Sequence, residues 1–219
     1  LGDVYKRQME NDTPNKIKIS KEIIATLPIE TFPGKIIVID NERAADNAVL
    51  QLNNEKIIGF DTETRPTFKK GKSNHVALIQ LSTHDTCYLF RINRIGFTPA
   101  IKNLLENESL LKVGISLKDD FCMLSRLNSG QFIPRNFIEL QKFVKKYNIE
   151  DQSLQKIYGI VIGKKISKGQ RLSNWEADHL TENQQLYAAT DAWSCIKIYE
   201  VLKSGKFKSP IYKIQPSSL

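Results

Sequence analysis

The amino-acid sequence predicts an α/β fold: a mixed β-sheet flanked by α-helices, within a single domain. Three observations carry that prediction. The chain has 219 residues, 41% of them hydrophobic and 26% charged, which suits one buried core and excludes a disordered or fibrous chain. Three short segments rich in Ile, Val, Leu or aromatics follow one another between residues 56 and 90, as in a meander. Strand and helix patterns then alternate, and the last pattern is one long helix.

Taken in order, the apolar run Ile36-Ile37-Val38-Ile39 places a first strand at 35–40, and a helical pattern follows at 42–52. Residues 56–62, 76–82 and 86–90 are the meander strands. A helix at 99–106 opens on Pro99, a strand spans 110–114, and a helix spans 118–127. A further helix at 153–158 is expected to stop at Gly159. The long helix runs from Thr181 to about Leu202, and it opens with the capping-box pattern Thr181-Glu182-Asn183-Gln184. No internal repeat and no composition shift marks a second domain. Residues 1–8 precede Met9 and read as a non-native leader, and residues 9–34, with Pro28 and Pro33, read as a loosely ordered entry. The domain is expected over 35–203, with a basic tail at 204–219.

Charge is uneven along the chain. The formal net charge is +8, yet residues 65–75 hold four bases and no acid, and residues 142–171 hold eight bases and two acids. Localised positive charge suits a polyanion, since neutralised phosphates release counterions; solvated loops that aid solubility account for the charge equally well. Cys87, Cys122 and Cys195 form no Cys-x-x-Cys and no even framework, so they read as reduced and mostly buried. No apolar run approaches the roughly 20 residues of a membrane span, and the protein is expected in the cytosol without a membrane partner.

Three residue groups carry chemistry. In Gly59-Phe60-Asp61-Thr62-Glu63-Thr64, strand periodicity sets Asp61 and Glu63 side by side at the end of an apolar strand, where like charges repel unless a cation lies between them. In Lys112-Val113-Gly114-Ile115-Ser116-Leu117-Lys118-Asp119-Asp120, a strand gives way to a helix whose first turn holds two acids. In Leu186-Tyr187-Ala188-Ala189-Thr190-Asp191, helical spacing puts Tyr187 and Asp191 on one face. Each pattern alone has a purely structural explanation: acids capping a strand, acids at a helix start, and a polar residue within a helix.

Their conjunction in this order resembles the DEDD exonucleases of the ribonuclease-H-like fold, in the branch with a tyrosine in the third motif. Werner-type exonuclease domains are a closer likeness than the family at large, through Val76-Ala77-Leu78-Ile79-Gln80-Leu81, Ser173-Asn174-Trp175 and residues 186–192. The resemblance covers about residues 35–202. It implies Asp61 and Glu63 as the first motif, Asp120 as the second, and Tyr187 with Asp191 as the third. Asp120 is preferred to Asp119 because Leu124 follows it by four residues. Where Werner-type domains tend to carry a tryptophan, this chain has Cys122, which argues against a stacking contact at that position.

The resemblance also implies a two-metal phosphodiester hydrolysis from the 3′ end, releasing nucleoside 5′-monophosphates. Asp61, Glu63, Asp120 and Asp191 would hold two Mg²⁺ or Mn²⁺ ions, and Tyr187 would orient the attacking water. Thr62, Arg65, Lys69, Lys70, Lys72, Lys168, Arg171 and Trp175 are candidate nucleic-acid contacts. Lys164 and Lys165 invite the same reading, while Trp175 reads first as a packing anchor, with base stacking left open by its place ahead of the third motif. DNA is the preferred partner, ribonuclease-D-like RNA trimming the rival, and a catalytically silent nucleic-acid-binding module the reading from another class. The oligomeric state stays open.

Overall fold

The run Val76–Ser82 is buried along its whole length, so it must be covered on both faces, and the surrounding architecture does this. The computed structural model describes residues 16–65, 75–205 and 207–208. Among these, six strands form one sheet: β1 (Lys35–Ile39), β2 (Ile57–Thr64), β3 (Val76–Ser82), β4 (Thr86–Phe90), β5 (Leu111–Gly114) and β6 (Phe137–Glu139). Their order is β1-β4-β3-β2-β5-β6. The meander β2-β3-β4 is antiparallel, and β1, β5 and β6 join parallel to their neighbours, so the sheet is mixed as the sequence predicts. The helices are α1 (Lys21–Thr26), α2 (Glu42–Leu52), α3 (Ile92–Ile95), α4 (Pro99–Glu106), α5 (Leu117–Leu127), α6 (Leu140–Phe143), α7 (Leu154–Ile162) and α8 (Glu182–Lys203).

Side-chain alternation along the strands divides the core in two. One face buries Ile58, Phe60, Ile79 and Leu81 against apolar residues of α2, α4 and α5. The other buries Leu78, Leu89 and Val113 against α7 and α8. Thr181 and Gln184 form the expected reciprocal capping box at the start of α8. From Tyr187 to Ile196 every residue of α8 is buried. It can lie that close because Gly59 of β2 has no side chain: a Cβ there would stand 1.9 Å from the Ala192 carbonyl oxygen.

Two expectations are corrected. The entry segment is packed rather than loose over residues 16–34: Ile19, Ile24, Leu27 and Phe32 are buried in the α7/α8 core, and bridges pair Ile17 with Ile149 and Ile29 with Lys165. The helix expected to stop at Gly159 continues to Ile162, and Gly163, at φ 75°, ends it. Gly159 is there for contact, since a Cβ would come within 3.2 Å of Leu27 and 3.3 Å of Ile19. Residues 1–8 and most of 204–219 lie outside the described residues. Among the described residues no helix is long and apolar enough to cross a membrane.

Candidate active site

The site begins with β2, which runs two residues past its expected end and so carries Glu63 as well as Asp61 within the strand. Asp61 pairs with Gln80 and Glu63 with Leu78 of β3 before the register shifts between Glu63 and Thr64. Gly59, Asp61 and Glu63 share the face on which α8 rests. The close seat at Gly59 brings Asp191, the neighbour of Ala192, onto the two β2 carboxylates. Ligand oxygens of Asp61, Glu63 and Asp191 lie within 4.8 Å of one another.

Asp120 stands beside this trio rather than inside it. It lies in the first turn of α5, nearly buried, and accepts a hydrogen bond from the Thr62 hydroxyl. Thr62 alternates with Asp61 and Glu63 and so faces the α5 side of the strand. Asp119, its rival in the sequence, is exposed. Tyr187, one turn before Asp191, donates its hydroxyl to the Asp191 carboxylate, and its ring lies 6.0 Å from that of Trp175.

Burial raises every carboxyl pKa here, and like charge adds to it at Asp61, Glu63 and Asp120. Burial drives Asp61 well up, with Asp191, Glu63 and Asp120 adding repulsion. Glu63 is raised by burial and then by Asp191 and Asp120, while Arg171 pulls the other way. Asp191 is raised by burial, opposed by the Tyr187 hydrogen bond and by Lys168. Asp120 is pushed up to about 6, chiefly by burial, with the Thr62 hydrogen bond opposing. Burial and neighbouring carboxylates raise Tyr187 as well, so its phenol stays neutral and remains a donor. Hard oxygen donors crowded at cost to their ionised forms suit a divalent cation, whose charge would reverse the repulsion.

The basic candidates divide. Lys168 and Arg171 are exposed, with their charges felt by Asp191 and Glu63, and Arg65 pairs with Glu176 at 3.3 Å. Lys69, Lys70 and Lys72 lie outside the described residues. Thr62 donates its hydroxyl hydrogen to Asp120, so that hydrogen is not available to a phosphate. Trp175 is corrected as a nucleic-acid contact: it is 0% exposed and cannot stack on a base. Lys164 and Lys165 are bound internally, the first to Glu30 at 2.7 Å and the second to the Ala25 carbonyl.

Two residues of this region escaped the sequence reading. Gln80 faces α8 directly opposite Asp61, fully buried, with neither side-chain polar atom hydrogen-bonded. Its signal was a lone amide in an otherwise apolar strand. Glu139, at the end of β6, accepts from the Ser116, Leu117 and Gln141 backbone N–H groups and so fixes the start of α5. Nothing local in the sequence marks it.

Known proteins share this chain's sequence pattern and fold. Residues 36–205 match the family model described as a 3′-5′ exonuclease. The mouse protein "Bifunctional 3'-5' exonuclease/ATP-dependent helicase WRN" is 35% identical over 201 residues, which is 87% of this chain and 14% of that protein. In fold, the chain resembles the EXO domain of Aedes aegypti Nibbler, with a TM-score of 0.72 at 24% identity over 85% of this chain and 94% of that one. It also resembles Escherichia coli RNase D, "an exoribonuclease involved in structured RNA processing", with a TM-score of 0.68 at 22% identity over 78% of this chain and 46% of that one.

Proposed function

The chain belongs to the 3′–5′ exonuclease family, and from that premise we propose that it removes nucleotides from the 3′ end of a nucleic acid strand, releasing nucleoside 5′-monophosphates. One observation carries the proposal: Asp61 and Glu63 of β2 and Asp191 of α8 converge to within 4.8 Å, with Asp120 alongside. Asp61, Glu63, Asp191 and Asp120 are the residues that would hold two Mg²⁺ or Mn²⁺ ions. Bound there, such ions supply a hydroxide near neutral pH and offset charge on the departing 3′ oxygen.

The chain's own groups do the rest. Tyr187, kept neutral, orients the attacking water by a hydrogen bond while holding Asp191 in place. Thr62 fixes the Asp120 carboxylate against β2. Lys168 and Arg171, exposed beside the carboxylates, receive the scissile phosphate and offset its negative charge. DNA is the preferred substrate, supported by the Werner-type motifs. The fold likeness to RNase D supports a second reading, trimming of RNA 3′ ends.

The test is a gel of 5′-labelled single-stranded DNA, 3′-recessed duplex and matched RNA, with Mg²⁺, Mn²⁺ or EDTA, beside an Asp61→Ala control. A metal-dependent ladder shortening from the 3′ end and absent in the control is expected, and the better-cut strand identifies the substrate. Binding without a ladder in either metal refutes the catalytic reading and leaves a nucleic-acid-binding module.

A further inference from the structure

Gln80 is an amide set among apolar neighbours. It shares its face of β3 with Leu78, and in the sheet it lies between Leu89 of β4 and Asp61 of β2. It is 0% exposed, and among the described residues neither Nε2 nor Oε1 has a hydrogen-bond partner. Other buried polar side chains are matched: Arg91 donates to the Ala177 and Asp178 carbonyls, Lys112 to the Asn107 carbonyl, and Gln184 pairs with Thr181. A buried amide left unpaired costs free energy that an apolar side chain of the same shape would not. Packing therefore does not account for a glutamine at this position.

The carboxylates beside it supply a reason. Asp120 accepts from the Thr62 hydroxyl and Asp191 from the Tyr187 hydroxyl, so a side-chain donor holds each of them. Asp61 accepts from the Thr62 backbone N–H, and among the described residues no side chain donates to it. The geometry points to Gln80 as the positioning residue of Asp61, its Nε2–H group orienting that carboxylate for a divalent cation.

Reach and charge both fit. Residues directly opposite in an antiparallel pair have Cβ atoms about 4.5–5.5 Å apart, a gap that a glutamine side chain closes by rotation about its single bonds. A lysine or arginine at this place would orient Asp61 as well, but its charge would compete with the cation for the same oxygens. An amide brings the N–H and no charge. Donors of this kind, which touch a ligand rather than the metal, typically govern metal affinity by roughly 10–100-fold.

This inference rests on the exonuclease reading, and its test separates the two. Gln80→Met keeps the length of the side chain and removes the N–H, and Leu89→Met repacks the neighbouring place on the same face as a control. In EDTA the Gln80→Met urea midpoint should equal or exceed the parent's, because an unpaired buried amide is gone. Its Mn²⁺ affinity by calorimetry, without nucleic acid, should fall roughly 10–100-fold, while Leu89→Met binds Mn²⁺ like the parent. At a Mn²⁺ concentration near the parent's dissociation constant, kcat on a 5′-labelled oligonucleotide should fall and KM stay unchanged. Parental Mn²⁺ affinity in Gln80→Met, or an equal loss in Leu89→Met, overturns the assignment. The parent alone gives a second reading: a Gln80 side-chain N–H signal in its ¹⁵N spectrum should move downfield when Mg²⁺ is added, and this shift should vanish in Asp61→Asn. No shift in the parent, or one that survives in Asp61→Asn, likewise overturns it. A parent that neither binds Mn²⁺ nor cleaves refutes the exonuclease reading and takes this inference with it. A parent that does both, matched in both by Gln80→Met, refutes the role of Gln80 alone.

Discussion

Gly59→Ala places a methyl group in the seam between β2 and α8, and its consequence can be worked from distances. The added Cβ would stand 1.9 Å from the Ala192 carbonyl oxygen, 2.7 Å from its carbon and 3.3 Å from Ile196 Cγ1. Relief needs roughly 1.5 Å of separation, since non-bonded heavy atoms settle at about 3.5 Å. Both sides are backbone in regular structure, so the helix must back away and take Asp191 with it. Overpacking of this kind costs about 1–3 kcal/mol or more. A 1 Å misplacement of catalytic groups costs on the order of 10²-fold in rate. The assay pairs urea unfolding with Mn²⁺-dependent cleavage of a 5′-labelled oligonucleotide, at a urea-free temperature where the variant is folded. Gly96→Ala is the control: it sits at φ 72° and ψ 179°, a conformation almost confined to glycine, with nothing within 4 Å of its Cβ position, so it should lose about 1–3 kcal/mol through local backbone strain and no activity. A Gly59→Ala protein with parental stability and rate would show that the helix is not seated on β2 as argued.

Three further outcomes are expected. Tyr187→Phe removes the donor to Asp191 but keeps the ring against Trp175, so cleavage should slow by about 10²-fold while the urea midpoint barely moves; an unchanged rate would dismiss the hydroxyl. Thr62→Val leaves Asp120 without its side-chain hydrogen bond, and Mn²⁺ affinity measured by calorimetry should fall at least about 10-fold, whereas parental affinity would mean Asp120 needs no support. Glu30 tests pH dependence. Burial alone would raise its carboxyl, but hydrogen bonds from Lys164, Lys197 and Tyr158 hold it at about 2, below its ordinary 4.5. A depressed carboxyl contributes stability that is fully present above pH 4.5 and lost as pH falls through about 2. Glu30→Gln should therefore lose up to about 3 kcal/mol at pH 7, and its urea midpoint should fall less than the parent's between pH 4.5 and pH 2. Parallel pH curves would exclude this carboxylate as the cause.

Much of the sheet was legible because a strand announces itself over five to eight neighbouring residues. The runs at 76–82 and 86–90 match their strands end to end, and the capping box at Thr181 marked the start of α8. β6 was not legible: three half-buried residues, Phe137–Glu139, make no period and become a strand only by pairing with β5. Nor was the packed segment 16–34, where Ile19, Ile24, Leu27 and Phe32 are spaced among polar residues and follow no single periodicity. Gly159 misled because a glycine that ends a helix and one that admits a neighbour look the same in one dimension.

The sequence by itself determined the local elements and the order in which Asp61, Glu63, Asp120, Tyr187 and Asp191 come along the chain, since both follow from neighbouring residues. Only the tertiary structure decided which of those groups meet and which cations stay free. Glu30 neutralises Lys164 and Lys197 from 134 and 167 residues away, while Lys118, Lys142 and Lys145 have no ion-pair partner among the described residues. Asp191 reaches Asp61 because a missing Cβ at Gly59 lets a helix touch a strand. Contacts of that kind depend on which faces pack together, and packing is settled by the whole core at once rather than by any stretch of chain.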